Sequence, residues 1–265
     1  MRLGSRYELK YVIDEARAAA IREVVRGYLR PSIYNRAGPV PGEPVISLYF
    51  DSPDLICYRQ SLGGLKNRLK LRVRFYDDQH DHPAYLEVKR RVGEAIIKQR
   101  AMVSREAVRQ MLAGARPGAT YWPDRAHLLN GRQQGDAQRF FCHLCSTLGA
   151  RGILYVCYLR EAWESPGEGW VRVTFDRHIQ GAWYDGAEEL AIPARGTRPE
   201  LHGFPRDGVV LELKFTHGAP RWLSQLVQAF DLQRRSVSKY CACIETMGLQ
   251  RGLRAPVRPP EEILR

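Results

Sequence analysis

The sequence predicts an α+β protein in which an antiparallel β-barrel has helices inserted between pairs of its strands. One observation is that strand-like runs dominate the 265 residues and follow one another through turns, as antiparallel strands do. A second is that these runs share one pattern, with long charged side chains on one face and large apolar side chains on the other. The regular strand–helix alternation of a parallel sheet is not present.

The clearest strand covers residues 68–76, which alternate without a break. Four cations alternate there with four apolar residues: Arg68, Lys70, Arg72 and Arg74 with Leu69, Leu71, Val73 and Phe75. Successive side chains of a strand point to opposite faces, so the cations form one row and the apolar residues another. A row of like charges repels itself, and it therefore needs water, carboxylates or a polyanion beside it.

Six further runs show the same two faces: residues 7–13, 85–89, 95–103, 154–164, 171–176 and 209–215. Their charged faces hold mainly Arg, Lys and a few Glu, whereas an ordinary solvated face is richer in Ser, Thr and Gln. A single such strand would be interpreted as a solvated surface. Because the pattern recurs in seven strands, we interpret the charged faces as the lining of a cavity.

Local patterns place the other elements in chain order. Asp14 is expected to cap a helix over about 15–29, with an apolar stripe of Ala18, Ile21, Val24, Val25 and Tyr28. Further helical segments are expected at 55–60, 104–114, 137–148, 220–231 and 238–248, and further strands at 45–51 and 181–185. Segments 30–44 and 116–135 are expected to be loops. We assign residues 1–250 to a single domain and the Pro-rich residues 251–265 to a disordered tail.

The composition bounds the partners and the location of the protein. The formal net charge of +12 predicts an anionic partner: nucleic acid, a phosphate-rich small molecule or an acidic membrane surface. No apolar run reaches about 18 residues, the length of a membrane-spanning helix, and no signal peptide precedes the first strand. We therefore expect a cytoplasmic protein with six reduced cysteines.

Two local clusters are weaker candidates for a metal site. Cys142 and Cys145 have CxxC spacing, but they would share one face of a predicted amphipathic helix, which favours burial over zinc binding. The Asp- and His-rich segment 77–82 is interpreted as the solvated loop of a hairpin.

Phosphate binding through backbone amides is not indicated, because neither GxxxxGK[ST] nor GxGxxG occurs. Side chains would have to hold the phosphates, and the Arg and Lys of the charged strands supply them. The carboxylates Glu8, Glu87 and Glu212 lie among these cations. They are either counter-ions or ligands of a hard divalent cation, Mg²⁺ or Mn²⁺. We favour metal binding for Glu212 and leave both interpretations open for Glu8 and Glu87.

The pattern resembles the triphosphate tunnel metalloenzymes and, among them, the VTC domain, the polyphosphate polymerase domain of the eukaryotic vacuolar transporter chaperone and its bacterial relatives. The matching stretches, in family order, are RYELKY at 6–11, LYFDS at 48–52, RVRFY at 72–76, EVK at 87–89, KQR at 98–100, YLR at 158–160, RVTFD at 172–176, LELK at 211–214 and SKY at 238–240. One departure is Ser236, which stands where the eukaryotic relatives have a second lysine.

The resemblance implies an eight-stranded tunnel with basic walls and a C-terminal helix that plugs or gates it. It implies phosphate binding by Lys10, Arg72, Arg74, Lys89, Lys98, Tyr158, Arg160 and Lys239, and a metal at Glu212. Of these, we assign catalytic roles to Lys10, Arg72, Arg74, Lys89, Lys98 and Arg160 and substrate binding to Tyr158 and Lys239. From the charged faces themselves we add Arg100, Arg172 and Lys214 as substrate-binding candidates, and Glu87 and Glu8 as candidate metal ligands.

Three functions are consistent with these expectations. The first is a metal-dependent polyphosphate polymerase that uses ATP and releases ADP. The second is a hydrolase of inorganic or nucleoside triphosphates, and the third is a non-catalytic polyphosphate sensor. No nucleic-acid partner is expected, because duplexes could not enter a tunnel. A membrane association would have to come from a partner protein.

Overall fold

The computed structural model describes residues 6–38, 41–93, 95–114, 132–166, 171–193, 207–216 and 218–248. The strands are β1 (Arg6–Ile13), β2 (Arg30–Pro31), β3 (Glu43–Asp51), β4 (Arg68–Phe75), β5 (Ala84–Val92), β6 (Ala95–Val103), β7 (Arg151–Glu164), β8 (Val171–Trp183) and β9 (Val209–Thr216). The helices are α1 (Glu15–Arg26), α2 (Ile56–Leu62), α3 (Arg105–Gly114), α4 (Arg132–Leu148), α5 (Arg221–Ala229) and α6 (Lys239–Met247).

The eight longer strands are hydrogen-bonded in the order β1-β9-β8-β7-β3-β4-β5-β6, and β2 pairs with β7. The registered pairs are antiparallel, and the helices are inserted between strands. The predicted α+β class with eight antiparallel strands is therefore confirmed. Three local predictions are wrong: β2 lies in the expected loop 30–44, the described end of the expected loop 116–135 is the start of α4, and the expected strand at 181–185 is the end of β8. The proposed tail at 251–265 and most of loop 116–135 lie outside the described residues.

The chain divides into two compact units, each assembled from three segments. Unit 1 comprises the described parts of Met1–Pro44, Tyr158–Ile179 and Arg198–Lys239. Unit 2 comprises the described parts of Val45–Cys157, Gln180–Thr197 and Tyr240–Arg265. The assignment of residues 1–250 to one domain stays a prediction.

The core of unit 1 packs the apolar faces of its strands against α1 and α5. Its members include Tyr11, Ile13, Val173, Phe175, Leu211, Leu213, Leu223 and Leu226. Helix α1 contributes only Ala18, Ile21 and Val25, whereas Val24 and Tyr28 of the predicted stripe are 38% and 52% exposed. Tyr28 lies beyond the end of the helix at Arg26, so it leaves the buried stripe and stacks on Trp222 instead, with ring centroids 4.5 Å apart.

A buried ionic network ties α1 to β7 and β8 within unit 1. Glu161 is fully buried, and its Oε1 accepts hydrogen bonds from Arg22 Nε and Trp163 Nε1, both at 2.7 Å. Its Oε2 accepts from Arg177 Nη1 at 2.8 Å, and Arg177 Nε also donates to Glu15 at 2.9 Å. A buried carboxylate is costly without partners, so this network fixes the position of α1 on the strands.

The core of unit 2 includes the apolar face of β4. Leu69, Leu71, Val73 and Phe75 are 0–1% exposed and belong to a cluster with residues from α3 and α4, among them Val108, Phe141 and Leu144. The opposite face of β4 carries Lys70, Arg72 and Arg74, as the alternation predicts. Gly93, with φ of +59°, provides the left-handed conformation of the turn between β5 and β6.

Helix α6 is anchored within unit 2 by Tyr240, which is 1% exposed. Its ring stacks on Tyr49 with centroids 4.7 Å apart, and its hydroxyl donates to Asp51 Oδ2 at 2.8 Å. Asp51 also accepts from the backbone amides of Cys57 and Tyr58, both at 2.9 Å, at the start of α2. One buried carboxylate thus holds the beginnings of two helices.

The six cysteines are free, as expected, and five of them are buried. In the hairpin at 77–82, His82 Nδ1 lies 2.7 Å from Asp77 Oδ2. Among the described helices, none combines the length and the apolar character that a membrane span requires.

Candidate functional site

The predicted site residues fall into two sets, one in each unit. Unit 1 contains Lys10, Tyr158, Arg160, Arg172, Lys214, Lys239, Glu8 and Glu212, and unit 2 contains Arg72, Arg74, Lys89, Lys98, Arg100 and Glu87. In each unit, one buried glutamate contacts several of the cations. The sequence predicted these residues as one set and did not indicate the division.

In unit 1, four cations contact the carboxylate of Glu212, which is 4% exposed. Its Oε1 lies 3.3 Å from Lys10 Nζ and 3.1 Å from Lys239 Nζ. Its Oε2 lies 2.6 Å from Lys214 Nζ and 3.4 Å from Arg160 Nη2. We call these five residues the Glu212 group. Each carboxylate oxygen contacts two cations, so one side chain fixes the positions of four positive charges.

Strand register explains why this group forms. In the β1–β9 pair, Lys10 lies opposite Glu212 and Glu8 lies opposite Lys214. On the other side of β9, β8 places Arg172 opposite Lys214. Paired residues share a face of the sheet, so the charges of β1, β8 and β9 meet while the intervening apolar residues enter the core.

Asp176 is a member of this region that the sequence analysis did not assign to the site. It is fully buried and accepts two hydrogen bonds from Arg160, at 2.6 and 2.7 Å. Lys239 Nζ lies 2.6 Å from its Oδ2. The alternation of residues in β8 places Asp176 on the same face as Arg172. This pattern was the one feature of the sequence that could have assigned Asp176 to the site. Asp176 and Glu212 together hold Arg160 and Lys239.

Two other predicted residues lie at the edge of the Glu212 group. The ring of Tyr158 lies 5.2 Å from the Arg160 guanidinium carbon and 5.0 Å from Lys239 Nζ, which are cation–π distances. Arg172 Nη2 lies 3.6 Å from Glu164, and both side chains are more than one third exposed. Tyr158 therefore supports two cations of the group, whereas Arg172 forms an ion pair at the surface.

Burial and opposite charge compete throughout the Glu212 group. Burial raises the pKa of Glu212, but Lys10, Lys214, Lys239 and Arg160 outweigh burial and hold that pKa well below its usual range. Burial lowers the pKa of Lys239, but Asp176 and Glu212 raise it above its usual range. For Lys214 burial prevails over Glu212, and the pKa falls to about 8. Glu212 is therefore ionised at neutral pH, whereas Lys214 loses its proton at a pH just above neutral.

In unit 2, four cations surround Glu87, which is 1% exposed. Its Oε2 lies 2.6 Å from Arg72 Nη2 and 4.0 Å from Arg74 Nε. Its Oε1 lies 2.7 Å from Lys98 Nζ and 3.5 Å from Arg100 Nε. We call these five residues the Glu87 group. The register produces it, because Glu87 lies on β5 between Arg72 of β4 and Arg100 of β6.

The arginines of the Glu87 group have further partners on β3. Arg72 Nη1 donates to the Tyr49 hydroxyl at 3.0 Å, and Arg74 Nε donates to Ser47 Oγ at 3.3 Å. Two residues along the strands, Lys89 lies between Lys70 and Lys98 in the register. The charged face of unit 2 therefore continues as a second row of cations beside the first.

Electrostatics in the Glu87 group parallel those in unit 1. Burial raises the pKa of Glu87, but Arg72, Arg74 and Lys98 outweigh it and hold that pKa far below its usual range. Burial lowers the pKa of Lys98 to about 8, against the opposing effect of Glu87. Each group thus contains one ionised carboxylate and one lysine whose charge depends on pH near neutrality.

The carboxylates of unit 1 fit a hard divalent cation better than Glu87 does. Lys10 Nζ lies 3.1 Å from Glu8 Oε1 and 3.3 Å from Glu212 Oε1, so two carboxylate oxygens flank one cation position. Mg²⁺ is commonly held by one or two carboxylates together with substrate phosphates. Among the described residues, no group of three His, Cys, Asp or Glu side chains could hold a metal. Glu8 and Glu212 could therefore hold a metal together with a phosphate ligand, because both carboxylates contact the same position, although Glu212, like Glu87, has four cations as ionic partners here.

Comparison with known families gives a match along almost the whole described chain. The family model of the VTC domain matches residues 5–248. The chain belongs to the VTC domain family. The predicted resemblance is therefore confirmed, and family membership supports a triphosphate-tunnel type of enzyme that acts on triphosphate-type substrates.

Comparison with known structures and curated proteins adds little information about this VTC domain. A Bacillus halodurans protein named as a candidate adenylate cyclase is 12% identical, with 87% of this chain and 92% of that chain covered and a TM-score of 0.47. A Pyrococcus horikoshii protein is 13% identical, with 91% and 99% covered and a TM-score of 0.43. Among curated proteins, none matches. At these TM-scores the likenesses do not bear on function.

Proposed function

We propose that this VTC domain is a metal-dependent polyphosphate polymerase. It transfers the γ-phosphoryl group of ATP to orthophosphate or to the end of a polyphosphate chain and releases ADP. In each transfer, the bond between the γ-phosphorus and the β,γ-bridging oxygen breaks, and a bond from the acceptor oxygen to that phosphorus forms. The departing oxygen leaves with ADP.

The observation that carries this proposal is the convergence of Lys10, Arg160, Lys214 and Lys239 on Glu212 in a member of the VTC family. Phosphoryl transfer requires little covalent chemistry from a protein, because positioning and stabilisation of charge provide most of the catalysis. Cations already fixed by a buried carboxylate need little rearrangement when a phosphate arrives. This preorganisation is what the transfer requires.

The residues of the Glu212 group have distinct roles in the proposed reaction. Arg160 is held by Asp176 through two hydrogen bonds, so its remaining donor surface is oriented for phosphate oxygens. Lys10, Lys214 and Lys239 are compact charges that contact phosphate oxygens from the positions in which Glu212 holds them. Glu8 and Glu212 would hold a Mg²⁺ or Mn²⁺ ion, which when bound neutralises charge on the transferring phosphoryl group.

The Glu87 group has four cations for one carboxylate, and Lys70 and Lys89 follow in the next row. This excess of positive charge is suited to holding a chain of phosphates without reacting with it. In our proposal, Arg72, Arg74 and Lys98 bind the phosphates of the nucleotide or of the polymer, and Arg100 contacts another part of the substrate.

The proposal is tested by incubating the protein with ATP and Mn²⁺ and separating the products by size. Polyphosphate chains together with stoichiometric ADP are the expected result. Free phosphate without chains would overturn the proposal in favour of a hydrolase. Unchanged ATP together with tight binding of polyphosphate would overturn it in favour of a sensor.

The affinity for tripolyphosphate is expected to decrease as the pH rises from 7 to 9. Lys98 and Lys214 both have a pKa of about 8, so each is mainly charged at pH 7 and mainly neutral at pH 9. The loss of a positive charge weakens the binding of an anion, and the dissociation constant measured by calorimetry should therefore increase. A double variant, Lys98→Arg and Lys214→Arg, keeps its charge throughout this range. An equally steep pH dependence in that variant would contradict the assignment.

A further inference from the structure

On the charged face of unit 2, the row next to Glu87 contains an aromatic and an apolar side chain beside Arg74. In the register, Glu87 lies opposite Arg72 and Arg100, and two residues back along β5 Tyr85 lies opposite Arg74 and Met102. Residues of the same parity share a face, so Tyr85 lies on the face that carries the Glu87 group. The phosphate-binding row therefore has an aromatic neighbour about 6–7 Å further along the strands.

The guanidinium group of Arg100 lies over the ring of this aromatic neighbour. Its guanidinium carbon lies 3.6 Å from the centroid of the Tyr85 ring. Its Nε lies 3.5 Å from Glu87 Oε1, and its Nη2 donates to the Tyr76 hydroxyl at 3.3 Å. Tyr76 in turn contacts the Tyr85 ring edge-on, with centroids 5.9 Å apart. These contacts fix the position of the guanidinium group, and the Arg100 side chain is 38% exposed.

We propose that Tyr85 and Arg100 form a stacking site for the base of a nucleoside triphosphate. The inference rests on the proposed function and names its donor as a nucleotide in preference to inorganic triphosphate. A nucleobase stacks on an aromatic ring or on the plane of a guanidinium group. Any of the bases can stack in this way, because each has a planar aromatic face. Inorganic triphosphate has no group that would use such a site.

The spacing is consistent with a single nucleotide bound along the strands. One step of two residues separates Tyr85 from Glu87, and the cations of the Glu87 group surround that second position. This step is comparable to the span of a ribose between a base and its first phosphate. A base on Arg100 would therefore place the α-phosphate near Arg72 and Arg74.

The test compares the affinities for ATP and for tripolyphosphate, measured by calorimetry, in two variants and a control. Tyr85→Leu removes the ring, and Arg100→Lys retains the positive charge but removes the guanidinium plane. Each change is expected to weaken ATP binding about tenfold, as the loss of a base-stacking contact does, and to leave tripolyphosphate binding unchanged. Tyr28→Leu, which removes an exposed stacked tyrosine of unit 1, should change neither affinity.

The outcomes separate the stacking site from the proposed reaction. Equal losses for both ligands in Arg100→Lys, or no loss for either ligand in both variants, would overturn the stacking site even if the protein makes polyphosphate from ATP. A selective loss of ATP affinity would support it even if no polymer is formed, in which case only the proposed reaction fails. Since the Arg100 side chain is exposed, the Arg100→Lys protein is expected to fold. It therefore decides the question if the Tyr85→Leu protein does not fold.

Discussion

Replacement of Glu212 by Gln is expected to lower the turnover of ATP by about a hundredfold or more, a loss typical of removing an electrostatic group from a reaction centre. The amide keeps the size of the side chain but loses the negative charge that contacts Lys10, Arg160, Lys214 and Lys239. It also loses the charge that a divalent metal requires. Binding of tripolyphosphate without metal should be retained, because the four cations remain.

Two further measurements distinguish a catalytic effect from a structural one. The melting temperature of Glu212→Gln should fall in the absence of ligand, since buried cations lose a partner, and tripolyphosphate should restore it. Glu23→Gln is the matched control, because it removes a carboxylate from an exposed pair with Arg26. It should leave turnover and melting temperature unchanged. Near-normal turnover by Glu212→Gln at ordinary Mn²⁺ concentrations would remove Glu212 from the mechanism.

Replacement of Glu161 by Gln is expected to reduce the free energy of unfolding by about 3–5 kcal/mol, as the removal of one partner from a buried ion pair does. Arg177 is 2% exposed and would keep its charge with only Glu15, which is half exposed, as its ionic partner in this network. Arg22 would lose its shorter ionic contact, at 2.7 Å to Glu161. Denaturant unfolding followed by circular dichroism measures the change.

The control for Glu161 is Glu106→Gln, which breaks an exposed pair with Arg109 and should cost at most about 1 kcal/mol. Trp163→Phe removes the indole donor to Glu161, which should cost about 1 kcal/mol, and a further loss is expected because the smaller ring leaves space in the core. A Glu161→Gln variant as stable as the Glu106→Gln control would show that the network does not hold α1. Because the network contains none of the predicted site residues, folded Glu161→Gln protein should retain its affinity for tripolyphosphate.

The alternation of charged and apolar residues predicted which side chains share a face, and it did so because that property is local. Arg72, Glu87 and Lys98 were placed on charged faces from their own strands alone, and the structure brings them into contact. The same pattern included Asp176, but an acidic residue at the end of a predicted strand gave no reason to assign it a partner. Its partners Arg160 and Lys239 lie 16 and 63 positions away in the sequence, outside any local pattern.

Which strands pair is a non-local property, and the periodicity contains no information about it. Nothing in residues 6–13 indicates that Lys10 lies opposite Glu212, or that Arg72 and Arg100 belong to a group without either of these residues. The predicted apolar stripe of α1 was wrong at two positions for a different reason. Val24 and Tyr28 are apolar and spaced like core residues, but the helix ends at Arg26 and the available core is filled by Ala18, Ile21 and Val25.

The pairing of β1 with β9 also determines how late in synthesis the first strand can join the sheet. Ile13 pairs with Val209, so nearly two hundred residues must be translated before the first strand meets its neighbour. At about 5–20 residues per second, this interval is about 10–40 s. Throughout it, the apolar side chains Leu9, Tyr11 and Ile13 have no β9 to cover them. The contact between Glu212 and Lys10 therefore forms only after β9 has been translated.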